Sequence, residues 1–184
     1  MQKIKNVGLM ALYTFPLAIE CLEDLANYCE FLVVRWDAKG DKKLLQYAIN
    51  HPKVIKIVIS KEKWNAWNWR EDLVGVIDSL SPDLCLFLDE DEKFEHSIMN
   101  DLESLMANPV AKYLRFSFKM VPETEEIFPN SPHVKVFKWM PKLTYCPYPG
   151  WARLSSYLGL PGASMNAKSK IIHYNQFFGK KDKH

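Results

Sequence analysis

Apolar runs of strand length alternate with amphipathic stretches through the first hundred residues of the chain. The runs are rich in Val, Ile, Leu and Phe, which favours β-strands, and they cover 5–15, 31–34, 54–59 and 84–88. Stretches typical of helices lie after each run, at 17–28, 42–50, 71–79 and 97–108. Strands that alternate with helices predict βαβ units and a mainly parallel sheet.

The run at 84–88 shows no alternation of apolar and polar residues, which predicts a strand covered on both faces. Right-handed crossovers place the carboxyl ends of parallel strands at one edge of a sheet. By this count Tyr13, Asp37, Ser60 and Asp89 meet at that edge, where α/β folds bind ligands.

The pattern is less regular after residue 108. Segments 113–120 and 134–139 are typical of strands, four prolines between 141 and 161 predict long loops, and a short strand over 170–174 closes the fold. With 184 residues, of which 48% are hydrophobic, we expect a single α/β domain.

Four consecutive acids, residues 89–92, follow the buried strand at once. Asp89 and Asp91 stand at positions i and i+2, so in extended chain they point to the same side, roughly 7 Å apart at Cα. Two such carboxylates could bind one Mg²⁺ or Mn²⁺ when phosphates supply further ligands. The alternative is an acidic turn that precedes a helix and offsets its dipole.

The net charge of +2 conceals a division along the chain. Residues 1–126 contain 15 basic and 21 acidic residues, a net charge of −6, whereas residues 127–184 contain 9 and 1, a net charge of +8. Basic charge among many aromatic residues suits a phosphate-rich partner. The alternative is that the basic part packs against the acidic part.

Other patterns limit the class of protein. No apolar stretch reaches the length of a membrane-spanning helix. The four cysteines have no C-x-x-C spacing, which fits reduced thiols, and we expect a cytoplasmic protein. Neither a Walker A sequence nor a G-x-G-x-x-G follows the first strand, so phosphates would be bound by a metal and side chains.

The order of these features resembles the family-two glycosyltransferases of the GT-A fold. Asp37 follows the second strand, Asn68-Trp69-Arg70-Glu71 precedes the fourth, Asp89-Glu90-Asp91 ends it as a D-x-D motif, and His173 lies in the last strand. The resemblance covers about residues 4–105 well and the rest loosely. It implies a GT-A, Rossmann-like mixed sheet flanked by helices, with a donor half at 1–107 and a basic acceptor half at 108–184.

The resemblance also implies roles for single residues. Tyr13 and Thr14 would flank the nucleotide base, and Asp37 would bind the base or ribose. Arg70 would lie near the diphosphate or order its loop. The metal ligands would be Asp89, Asp91 and His173. Asp89 would also contact the ribose.

Simpler structural roles exist for some of these residues. Asp37 is typical of a residue that begins a turn, and a histidine in a strand is often hydrogen-bonded without binding a metal. The resemblance implies an acidic general base in the later half, but 127–181 contains no acid. Glu92, Glu95 and the acids at 123–126 are then the candidates, and we group Glu92 with Asp91 and Arg70 as catalytic.

The acidic motif together with the resemblance therefore implies a Mn²⁺- or Mg²⁺-dependent hexosyltransferase that uses a nucleotide-diphosphate sugar. The acceptor hydroxyl would belong to a surface glycan or to a hydroxymethylated base of phage-type DNA, which an enzyme must take out of the stack. Nucleotidyl transfer and non-enzymatic nucleic-acid binding are the alternative functions.

Overall fold

The computed structural model describes residues 5–60, 73, 76, 77, 79–121, 133–139 and 163–174. The strands are β1 (Asn6–Leu12), β2 (Phe31–Asp37), β3 (Val54–Ser60), β4 (Leu84–Leu88), β5 (Glu92–Phe94), β6 (Ala111–Phe116), β7 (Phe118–Val121), β8 (His133–Lys138), β9 (Ala163–Asn166) and β10 (Ile171–Tyr174). The helices with defined ends are α1 (Ala18–Tyr28), α2 (Lys42–Asn50) and α3 (Ile98–Ala107). Arg70 and the tryptophans beside it lie outside the described residues.

The central sheet has seven strands in the order β3-β2-β1-β4-β8-β6-β9. The four strands β3, β2, β1 and β4 are parallel to one another, whereas β8 is antiparallel to both β4 and β6. The chain moves outward from β1 to β3 and then crosses back to place β4 on the other side of β1. This reversal is a topological switch point, and the crevice beyond the carboxyl ends of β1 and β4 is where such sheets bind ligands.

Both faces of the sheet are covered, as the unbroken apolar run of β4 predicts. On one face α1, α2 and α3 pack against alternate residues of the strands, such as Met10 and Leu86. On the other face the helical residues Leu73 and Ile77 pack against Leu9 and their neighbours. All five residues of β4 are buried. The predicted mixed, mainly parallel sheet flanked by helices is confirmed.

A second, three-stranded sheet lies beside the carboxyl end of β4, in the order β5-β10-β7. The sequence predicts one strand over 113–120, but the structure divides it at Ser117 into β6 of the large sheet and β7 of the small one. At Ser117 the chain leaves the large sheet, and the Ser117 carbonyl accepts a hydrogen bond from Ile171 N of the small sheet at 3.0 Å. The sequence pattern missed β5, whose three residues are too few to show a period.

Close packing of α1 on β1 depends on Gly8. A Cβ atom at this position would lie 2.6 Å from Leu32 Cδ2 and 2.9 Å from both Cys29 Sγ and Leu25 Cγ.

Cys21, Cys29 and Cys85 are buried and free, and Cys146 lies outside the described residues. Within the described part of the chain, no helix has the length and apolar character needed to cross a membrane.

Candidate functional site

The first and the last of the four acids after β4 are joined by hydrogen bonds. Glu92 N donates to the Asp89 carbonyl at 3.1 Å, and Asp89 N donates to Glu92 Oε2 at 2.9 Å. These two bonds close a tight turn that brings the carboxylates of Asp89 and Glu92 to the same place. The turn stands at the switch point, so it delivers negative charge to the expected ligand crevice.

Glu90 fixes the loop that follows β1. Its carboxylate accepts hydrogen bonds from Tyr13 N at 2.6 Å and from Thr14 N and Phe15 N, each at 3.2 Å. Burial raises the pKa of Glu90, while these three amide donors act in the opposite direction. The middle residue of the D-x-D motif thus joins the ends of β1 and β4. It brings Tyr13 and Thr14, which are predicted to flank the nucleotide base, beside the acids.

Lys135 is a site residue that the sequence analysis missed. Strand β8 pairs with β4, and Lys135 Nζ lies 2.8 Å from Asp89 Oδ2 and 2.5 Å from Glu92 Oε2. Its side chain is only 5% exposed and passes over the ring of Phe87. The only signal in the sequence is a lysine between Val134 and Val136, which does not reveal which strand lies beside it.

Asp91 and His173 meet, as the resemblance implies, because β10 pairs with β5. His173 stands opposite Glu92 in that pairing, and Tyr174 N donates to the Asp91 carbonyl at 2.9 Å. His173 Nε2 lies 3.4 Å from Asp91 Oδ2. Among the described residues, His173 Nδ1 is buried and has no hydrogen-bond partner.

The carboxylates at this edge repel one another and are poorly hydrated. Burial raises the pKa of Asp91 to about 7, with further contributions from the charges of Asp89 and Glu92, while Lys135 opposes the rise. Burial and the charge of Lys135 lower the pKa of His173, so its imidazole is neutral at pH 7. A neutral imidazole beside crowded carboxylates has the donor atoms and the charge that favour a bound cation.

Asp91, Glu92 and His173 form a group of the kind that binds a divalent ion. Each offers one ligand atom, and these atoms all lie within 4.8 Å of one another. Carboxylate oxygens suit both Mg²⁺ and Mn²⁺, and an imidazole nitrogen shifts the preference toward a transition metal such as Mn²⁺. Two of the three predicted ligands, Asp91 and His173, belong to this group, and its third member is Glu92 in place of Asp89.

Asp37 lies at the end of β2 on the same edge and is 3% exposed. Its Oδ1 accepts a hydrogen bond from Lys39 N at 2.9 Å, which is the turn role that the sequence also allows. Its Oδ2 is buried and has no hydrogen-bond partner among the described residues. A buried carboxylate oxygen without a donor is costly in the free protein, so this atom is a candidate for contact with a ligand.

The loop after Asp37 is held against the end of β1. Asp41 N donates to the Tyr13 carbonyl at 2.7 Å, and Gly40 N donates to the Asp37 carbonyl at 2.7 Å. A Cβ atom on Gly40 would lie 2.9 Å from both of these carbonyl oxygens. The absence of a side chain at Gly40 therefore lets the ends of β1 and β2 approach, with Tyr13 38% exposed beside them.

The basic part of the chain is described only at 133–139 and 163–174. Lys135 Nζ is held by the acids, and Lys138 Nζ donates to the Asn108 carbonyl at 2.6 Å. The alternative role predicted for basic residues, pairing within the protein, therefore holds for Lys135. Whether the remaining basic residues bind a polyanion stays a prediction.

Comparison with known proteins identifies the fold. No protein-family model and no curated protein sequence matches the chain. The crystal structure of S. aureus TarS 1-349 in complex with UDP-GlcNAc matches with a TM-score of 0.66 and 14% identity over 94% of this chain and 59% of that one. The crystal structure of S. aureus TarS matches with a TM-score of 0.62 and 15% identity over 93% of this chain and 37% of that one.

These matches, together with the strand order and flanking helices, define a GT-A, Rossmann-like fold. The fold implied by the sequence resemblance is confirmed. The chain spans between about a third and three fifths of the length of the TarS structures that it matches.

We expect Asp91 to make the stability of the metal-free protein depend on pH. The pKa of this acid rises from 3.8 to about 7 on folding, so the folded state holds a proton that the unfolded chain has released. The free energy of unfolding should then fall as the pH rises from about 4 to about 7, by roughly 3 kcal/mol between pH 5 and pH 8. Asp91→Asn should remove this part of the dependence.

Urea unfolding of both proteins at pH 5 and pH 8, with chelator present, measures the difference. Glu103→Gln, on the exposed side of α3, is a matched change of an acid to its amide and should leave the dependence as it is in the native protein. Equal pH dependence in Asp91→Asn and the native protein would show that Asp91 is ionised in both states.

Proposed function

We propose that this protein is a metal-dependent glycosyltransferase that moves a hexosyl group from a nucleotide-diphosphate donor to an acceptor hydroxyl. The observation that carries the proposal is the group of Asp91, Glu92 and His173 at the switch point of a GT-A fold. The similarity of fold to TarS, a protein crystallised with UDP-GlcNAc, supports a nucleotide sugar as the donor.

The donor would lie across the carboxyl ends of β1, β2 and β4. Asp37 Oδ2, buried and without a donor among the described residues, would accept a hydrogen bond from the base or ribose. The half-exposed ring of Tyr13 would cover one side of the base, and Thr14 would lie next to it. Glu90 would hold this loop in place, because it already binds three of its amide groups.

The diphosphate would lie over the acids that follow β4. Asp91, His173 and Glu92 would hold Mn²⁺ or Mg²⁺, and Asp89 would contact the ribose and the edge of this site. When bound, the ion would act as a Lewis acid and neutralise the charge that develops on the departing diphosphate. We retain Arg70 as a predicted contact of the diphosphate or its loop, although it lies outside the described residues.

Transfer requires the acceptor oxygen to bond to the anomeric carbon while the bond from that carbon to the diphosphate oxygen breaks. The acceptor proton must pass to a base within hydrogen-bonding distance. Glu92 is 2% exposed and bonded to Lys135 and Asp89 N. These contacts favour a role for Glu92 in organising the charged site over one as the base.

The acceptor is proposed from chemistry alone, as a hydroxyl of a surface glycan or of a hydroxymethylated base in DNA. Duplex DNA would release condensed counterions on binding, so affinity for it should fall steeply with salt. A small glycan releases none, and its binding should change little over the same range of salt.

The test is thermal stabilisation by a panel of nucleotide diphosphates and nucleotide sugars, with Mn²⁺ and with chelator. A true donor at a hundredfold over its dissociation constant should stabilise the native protein by about 2.7 kcal/mol, and chelator should reduce the effect. Asp37→Ala should weaken binding of the same nucleotide by about tenfold or more, since a hydrogen bond to a charged group contributes about 1.5–3 kcal/mol.

Lys39→Ala is the matched control, because the bond from Lys39 to the Asp37 carboxylate comes from its main-chain N and is kept in the variant. It should bind the nucleotide as the native protein does. Stabilisation by no nucleotide, with or without Mn²⁺, would contradict the proposed function. Unchanged nucleotide binding by Asp37→Ala would show that Asp37 only stabilises its turn and does not contact the nucleotide.

A further inference from the structure

The site contains a buried cation that the proposed metal-dependent reaction does not explain. Lys135 comes from β8, some forty residues after the acids, and its ammonium group binds Asp89 Oδ2 at 2.8 Å and Glu92 Oε2 at 2.5 Å. Its side chain is 5% exposed and that of Glu92 is 2% exposed. An ammonium group buried beside a divalent-ion site would repel the ion, so its presence there needs a reason.

Formal charges suggest that reason. When ionised, Asp89, Asp91 and Glu92 contribute three negative charges, and Lys135 contributes one positive charge beside them. Without the lysine, the same residues would hold −3 in a poorly hydrated place, which favours a more tightly held ion.

The contacts show which ligand atoms the lysine engages. Of the acids at the site, Asp89 and Glu92 each give one oxygen to Lys135, whereas Asp91 faces His173 Nε2 at 3.4 Å. Among the described residues, no ammonium group is bonded to Asp91 or His173, whereas an incoming ion competes with Lys135 for Glu92.

We propose that Lys135 is a built-in counter-cation that weakens metal binding by the free protein, so that tight binding waits for the donor diphosphate. This inference rests on the proposed function. The diphosphate adds negative charge and oxygen ligands, which restore the attraction that Lys135 removes. Lys135 is thus a positioning residue that acts through Asp89 and Glu92.

The test is the affinity for Mn²⁺ alone, without nucleotide, measured near pH 8 by electron paramagnetic resonance of the free ion. Lys135→Gln removes the charge but keeps an amide that can donate to both carboxylates. We expect its dissociation constant for Mn²⁺ to fall at least about tenfold below that of the native protein, since a unit charge a few ångströms from a divalent ion has a large effect. Lys135→Arg, which keeps the charge, should remain within about threefold of the native value.

Lys138→Gln is the matched control on the same strand, because Lys138 Nζ bonds to the Asn108 carbonyl and to no acid of the described residues. It should bind Mn²⁺ as the native protein does. Asp91→Asn in the Lys135→Gln background should abolish the gain, which would locate the ion at this site. Circular dichroism checks folding, and Lys135→Met serves as a second variant that removes the charge.

Each possible result of these measurements either supports or overturns the inference. A native protein that binds Mn²⁺ weakly and a Lys135→Gln variant that binds it tightly would support the inference. Equal or weaker binding by Lys135→Gln would overturn it while leaving the proposed function intact, because the nucleotide panel tests that function separately. Absence of Mn²⁺ binding in all variants would reject both this inference and metal dependence, and failure of both charge-removing variants to fold would make Lys135 a structural cation only.

Discussion

Asp91→Asn is expected to reduce turnover of the nucleotide-sugar donor by about a hundredfold or more while the protein remains folded. The amide keeps the shape of the side chain but removes a charge that lies 3.4 Å from His173 Nε2 in the ligand group. A divalent ion supplies several kcal/mol of charge stabilisation to a departing diphosphate, and each 1.36 kcal/mol lost costs a factor of ten in rate. Donor turnover at saturating Mn²⁺, with Mn²⁺ affinity measured alongside, tests this expectation.

The matched control is Asp83→Asn, at the opposite end of β4. Asp83 is exposed, and its side chain accepts a hydrogen bond from Lys5 N, which an asparagine oxygen can also accept. This variant should turn over the donor at the native rate. Donor turnover at the native rate by Asp91→Asn would contradict the hypothesis that a metal ion at this site assists departure of the diphosphate.

The second large effect is expected at Glu90, the middle residue of the D-x-D motif. Glu90→Ala leaves the amide groups of Tyr13, Thr14 and Phe15 without their carboxylate. We expect a stability loss of about 2–3 kcal/mol, because hydrogen bonds to charged groups contribute about that much when unreplaced. Donor affinity should fall at least about tenfold, because the loop that would cover the base is no longer held.

Two further variants separate positioning from general destabilisation. Glu90→Gln keeps one oxygen acceptor and should lie between Glu90→Ala and the native protein in both stability and donor affinity. Glu95→Ala removes a half-buried carboxylate that accepts a hydrogen bond from Lys170 N at 2.7 Å, and it should leave donor affinity unchanged, whatever its effect on turnover. Native donor affinity in Glu90→Ala would show that the loop is ordered without Glu90.

Several features of the site could be predicted from the chain because they depend on local pattern and on rules of topology. The buried run of β4 and the alternation of strands and helices place Tyr13, Asp37, Ser60 and Asp89 at one edge, and the parallel pairing of β1 to β4 confirms this. The approach of His173 to Asp91 was implied by the resemblance to GT-A glycosyltransferases, and the pairing of β10 with β5 produces it.

Other features depend on which oxygen atom faces which donor, and no local pattern encodes that. A run of four acids reads as four equivalent charges in sequence. In the fold, Glu90 turns to the amides of 13–15, Asp89 and Glu92 turn to Lys135, and Asp91 turns to His173. A tight turn divides the run among these partners, and its geometry is set by hydrogen bonds between its own residues.

By itself, then, the chain determined the class of sheet, the edge that carries the acids and the presence of charged and aromatic groups there, because periodicity and strand order are local or topological properties. Only the tertiary structure decided that a lysine of β8 enters the acid cluster, that Glu92 joins Asp91 and His173, and that Asp37 keeps a buried oxygen without a donor among the described residues. These facts arise from contacts between strands distant in sequence. Burial there lowers the local dielectric and makes the exact pairing of each charge govern its chemistry.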